Sequence, residues 1–96
     1  MTTQELLKEK REDILRVAAT HGASNVRIFG SVARGDDTPE SDIDFLVDLE
    51  RGRSLLDHAA LLNDLETLLK RSIDVMTVPG LRDRIRESVL REAAPL

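Results

Sequence analysis

The chain has 96 residues, 41% of them apolar and 33% charged, a composition that excludes a disordered segment and suits one globular domain over residues 1–96. It has no cysteine, which excludes disulfides and thiolate metal centres, and only two aromatic residues, Phe29 and Phe45, so its core must be aliphatic. A formal net charge of −4 argues against tight, sequence-independent nucleic-acid binding, which depends on neutralising phosphates, and no membrane partner is expected from so short a set of apolar runs.

Thr2 and Glu5 have the spacing of a capping box and open a helix expected to end at His21-Gly22. Its inner stripe is Leu7, Ile14, Val17 and Ala18. Asn25 to Phe29 alternates as a strand, with Val26 and Ile28 on one face. Gly30-Ser31 ends that strand, and Ser31 to Arg34 reads as one helical turn with Ser31 as its cap. Gly35 to Ser41 has loop composition, and Ile43 to Leu49 is a second strand. Ser54 and Asp57 cap a helix carried by Leu55, Ala59, Leu62, Leu65 and Leu69. Ser72 to Val78 is a third strand, broken by Pro79-Gly80. Leu81, Ile85 and Val89 line a last helix that Pro95 closes off.

The order α-β-short α-β-α-β-α predicts a small α/β domain: a three-stranded sheet with helices on one face and the other left open. The last helix alternates arginines with Asp83, Glu87 and Glu92, which reads as a solvated or partner-facing surface rather than an RNA site. His21 and His58 stand alone, without metal-ligand spacing.

The second strand poses a chemical question. Asp42 and Asp44 lie two residues apart, so they face the same way with Cα atoms about 6.6 Å apart. Their repulsion is roughly 2–3 kcal/mol at an effective dielectric near 20. A divalent cation reverses the sign of that interaction, and carboxylate oxygens are what Mg²⁺ prefers. Asp74, between Ile73 and Val75, repeats the pattern on the third strand. Three carboxylates at one point suit two metal ions about 4 Å apart, the arrangement used for in-line displacement at phosphorus. Gly30 lets backbone approach a phosphate without a Cβ in the way, Ser31 adds a hydroxyl, and the turn after it offers N–H groups to an anion. Arg34 has two readings, a phosphate contact or an ion pair with Asp36 or Asp37. A lone Gly-Ser or a lone D-x-D is common; the weight lies in their order and in their placement on strands or strand ends.

"GSVARG", then "DID", then "IDV" resemble the minimal nucleotidyltransferases of the DNA polymerase β superfamily over nearly the whole chain. The resemblance implies a nucleotidyltransferase fold with a mixed three-stranded sheet, and Mg²⁺-dependent transfer of a nucleoside monophosphate with two ions. It implies that Asp42 and Asp44 hold both metals, that Asp74 completes one site and helps activate the attacking hydroxyl, and that Gly30 and Ser31 hold the triphosphate. Members of this size are similar to the MntA-type antitoxins of HEPN toxin–antitoxin pairs, which transfer AMP from ATP to a tyrosine of the toxin. The implied partner is a HEPN-type ribonuclease toxin, in a hetero-oligomer; the apolar runs, too short for a membrane span, and the lack of a secretory pattern make a cytoplasmic address the expectation. The other function class is a binding module that neutralises the toxin by masking it. Transfer to a small molecule is disfavoured because no substrate domain accompanies the motifs.

Overall fold

In the computed structural model, which describes residues 1–96, Thr2 caps the first helix as expected. Its hydroxyl accepts the Glu5 N–H, and the Glu5 carboxylate accepts the Thr2 N–H. The expected single helix is two: α1 (Thr3–Glu9) and α2 (Arg11–Thr20), parted at Lys10. No glycine or proline marks the break, and the Ile14 N–H still bonds the Lys10 carbonyl across it, so the apolar pattern passes through unbroken.

Strand β1 (Ala23–Phe29) begins earlier than the alternation suggested. Its pairing with β2 (Ile43–Leu49) passes from Ser24↔Asp48 to Arg27↔Leu46, which places one extra residue on β1. Asn25 absorbs that bulge at φ +50°, a conformation asparagine tolerates better than most residues. Ala23 and Val26 are therefore both buried although three apart, and a period-2 reading loses the strand there. Helix α3 (Gly30–Arg34) starts one residue before the expected turn: Phe29 holds the cap position, and Ser31 lies inside the helix.

Helix α4 (Leu55–Leu69) has the expected Ser54–Asp57 capping box. It connects β2 to its parallel neighbour β3 (Ile73–Thr77), the crossover that a parallel pair requires. Its inward stripe is Leu61, Leu65 and Leu69; Leu55 and Ala59 are exposed and Leu62 is only half-buried. The leucines are so dense that several helical stripes fit the sequence equally well. A 3₁₀ turn (Val78–Gly80) leads to α5 (Asp83–Glu92), where Val89 is buried and Ile85 largely exposed.

The sheet has four strands rather than three, in the order β3-β2-β1-β4. The fourth, β4 (Ala94–Pro95), pairs antiparallel with β1 through Ala94↔Ile28 and Pro95↔Arg27. Two residues with a proline carry no strand signal, yet an edge position tolerates proline's missing N–H. One face of the sheet buries Ile28, Ile43, Phe45, Val47, Ile73 and Val75 in the main core with α1, α2 and α4. The other face is not open. Leu46, Leu81 and Val89 form a second, smaller core there, with Phe29, Met76 and Ala93 packed around it, so α5 covers part of that face. The isolated histidines each bridge two elements: His58 Nε2 lies 2.6 Å from the Val75 carbonyl, and His21 pairs with Asp64.

Candidate active site

The second face carries the carboxylates. Asp44 is the register partner of Asp74 across the parallel pair β2–β3, and of Phe29 across the antiparallel pair β1–β2. Register partners point to the same side of a sheet, so Asp44 and Asp74 stand side by side with the Gly30 turn immediately beyond Phe29. Asp42 lies just before β2 begins. Asp44 is half-buried, whereas Asp42 and Asp74 are exposed. Burial, then the charge of Asp74, then that of Asp42 push the Asp44 carboxyl up from its ordinary value to about 6, against a lowering by Arg34. Asp42 and Asp74 therefore both act on Asp44.

They do not form a closed ligand cage: no three acidic or histidine side chains stand close enough together to hold a metal ion as they are. Like charges on neighbouring strands repel and splay apart, which tempers the expectation that three carboxylates meet at one point. The donor set nevertheless fits a hard divalent cation, since it is all oxygen and its mutual repulsion is what such a charge would relieve.

Gly30 has φ +74°, and a Cβ built there would collide with the Asp44 carboxylate. Glycine is thus required twice, for the backbone angle and for the close approach of the Asp44 carboxylate to the turn. Arg34 makes the ion pair of its second reading. Its guanidinium reaches Asp36 at 3.3 Å and Glu92 at 3.0 Å, while Asp37 instead accepts the Thr3 hydroxyl. Ser31 is half-buried within α3 beside this cluster.

Glu92 is the residue that sequence reasoning missed. It sits at the end of α5, where its spacing suggested solvent, yet its Oε1 accepts the Gly30 N–H at 2.5 Å. The packing of α5 on the second core, with the return of the chain through β4 beside β1, brings it there, and that strand left no pattern to read.

Residues 7–95 match the nucleotidyltransferase domain family. The chain belongs to that family. Among nucleotidyltransferases it is 36% identical to a candidate protein adenylyltransferase of Methanocaldococcus jannaschii over 91% of this chain and 94% of the relative. It is 39% identical to the protein adenylyltransferase MntA of Thermococcus cleftensis over 74% of this chain and 72% of that protein. A solved structure described as a candidate minimal nucleotidyltransferase superposes with a TM-score of 0.86 at 53% identity, covering 96% of this chain and 94% of the other. A toxin–antitoxin crystal structure with AMP-PNP shares the fold at a TM-score of 0.74 and 17% identity, over 88% of this chain and 69% of that one. The nucleotidyltransferase fold expected from the motifs is therefore the fold found, with one strand added at the edge.

Proposed function

We propose that this nucleotidyltransferase is a protein adenylyltransferase of the antitoxin kind, moving AMP from ATP to a tyrosine of a HEPN-type toxin in an Mg²⁺-dependent reaction. The observation that carries the reading is the Asp44–Asp74 register beside Gly30, which sets a carboxylate pair against a turn with no Cβ. The relatives named as protein adenylyltransferases support the acceptor class. Asp42, Asp44 and Asp74 would hold the Mg²⁺ ions, whose positive charge offsets the charge developing on the phosphate oxygens. The N–H groups at the start of α3 and the Ser31 hydroxyl grip the triphosphate. Asp74, exposed at the edge of the carboxylate group, takes the proton of the attacking hydroxyl. The tyrosine oxygen forms a bond to the α-phosphorus, the bond from that phosphorus to the β-phosphate bridging oxygen breaks, and diphosphate leaves.

The 96 residues contain no tyrosine, so a tyrosine acceptor lies outside them. Because α5 covers the Leu46 end of the second face, the partner must approach from the carboxylate end. No helix is long and apolar enough to cross a membrane. Intact-mass spectrometry of the protein mixed with its cognate toxin and Mg²⁺-ATP tests the proposal. The toxin should gain AMP mass with wild type and none with Asp44→Asn. A stable complex with no covalent change, and equal neutralisation by Asp44→Asn, would establish masking instead.

A further inference from the structure

We propose that the Glu92 carboxylate is an internal stand-in for a nucleotide phosphate, and that nucleotide enters by displacing it from Gly30 and Arg34. This deepens, and rests on, the reading of the site given above. One carboxylate spans two donors that a triphosphate would use: Oε1 takes the Gly30 N–H at 2.5 Å and Oε2 takes the Arg34 guanidinium at 3.0 Å. A backbone amide and a guanidinium converging on one oxyanion group is a phosphate-binding pattern.

The rest of Glu92's surroundings are adverse to a negative charge. It is the last residue of α5, where the helix dipole disfavours anions. It also lies close enough to the Asp44 carboxylate to repel it. What keeps it in place is therefore the donor pair, and a ligand carrying more charge can take those donors over. The helix need not move for this to happen. Val89 and Ala93 pack on the second core, and Ala94 pairs with Ile28, so the α5–β4 corner is fixed while the side chain can swing. Arg34 is also tied to Asp36, which holds its guanidinium near the turn once Glu92 has left.

A site occupied by its own carboxylate binds ligand with an apparent affinity reduced by the fraction of molecules in which the donors are free. Glu92→Gln keeps the size and a carbonyl oxygen for the Gly30 N–H but removes the charge. Glu92→Asp keeps the charge and shortens the reach. Glu87→Gln removes a charge from the same helix at a side chain that is 84% exposed and paired only with Arg91. Calorimetric titration of each 96-residue protein with a non-hydrolysable ATP analogue and Mg²⁺ decides the matter. If the donors are free in about a tenth of molecules, Glu92→Gln lowers the apparent Kd roughly tenfold. Glu92→Asp should fall between it and wild type, and Glu87→Gln should match wild type. Unchanged or weaker binding by both Glu92 variants overturns the proposal, and weaker binding would make Glu92 a positioning residue for the Gly30 turn. If wild type and every variant fail to bind the analogue, the nucleotide site itself is refuted, and this inference falls with it.

Discussion

The two faces of this sheet are built from the same three long strands and are put to different use. On one face β2 contributes Ile43, Phe45 and Val47, all essentially inaccessible to water, to a core of fifteen residues. On the other face the same strand contributes Asp44, Leu46 and Asp48, and only Leu46 is buried, in a core of three. A strand that alternates core and site in this way stores its stability on one side and its chemistry on the other. The carboxylate repulsion is tolerable because the first face holds the sheet together without help from the second.

The comparison breaks most sharply under truncation. Phe45→Ala should destabilise by about 3–5 kcal/mol, a large part of the whole stability of a domain of this size. Leu46→Ala should cost nearer the lower end of the range for such changes, about 2–3 kcal/mol, because α5 can settle onto the gap. Urea unfolding of both variants measures the difference, and equal losses would mean that the second face is as structural as the first.

Gly30→Ala should cost less, about 1–3 kcal/mol for backbone strain at positive φ. It should nevertheless abolish transfer, because the new methyl displaces Asp44. Retained transfer activity in a folded Gly30→Ala protein would show that the close approach of turn and carboxylate is incidental.

Asp44→Asn should have the smallest effect on stability, and in the opposite direction. A carboxyl with its pKa raised to about 6 binds its proton more tightly in the folded state than in the unfolded one. Its contribution to stability is present below its ordinary value of 3.8 and is lost as pH rises through about 6. At pH 7 the wild type therefore bears a cost that the amide does not. Since Asp44 is only half-buried, that cost is discounted for solvent screening to about 0.5 kcal/mol, or about 2–4 °C in Tm. Thermal melts should show Asp44→Asn ahead at pH 7 and the two proteins converging near pH 4.

How much of this was legible follows the same division. The first face wrote itself into the sequence as alternation on β2 and β3 and as capping boxes at Thr2 and Ser54, because burial and capping act through local patterns. The three aspartates and Gly30 stand out in the sequence because each violates those patterns: a charge inside an apolar run, a glycine at a strand end. The break at Lys10, the bulge at Asn25 and the two-residue β4 were not legible, since each depends on a tertiary partner rather than on neighbours in sequence. Glu92 was hidden for the same reason. Its spacing with Arg91 and Glu87 is that of an ordinary solvated helix, and the tertiary packing of α5 and β4 brings it to Gly30. Helix α4 was legible in place and length but not in orientation, because seven leucines from Leu55 to Leu69 leave the inward stripe undetermined.

The central claim is that the charged face of the sheet, with the Gly30 turn, is a joint site for a divalent cation and a nucleotide. Electron paramagnetic resonance of Mn²⁺, titrated with a non-hydrolysable ATP analogue into wild type and into Asp44→Asn, tests it most directly. The account predicts protein-bound Mn²⁺ that depends on the nucleotide in wild type and is lost in the folded Asp44→Asn variant. Equal Mn²⁺ and nucleotide binding by the two proteins, or none by wild type, would contradict it.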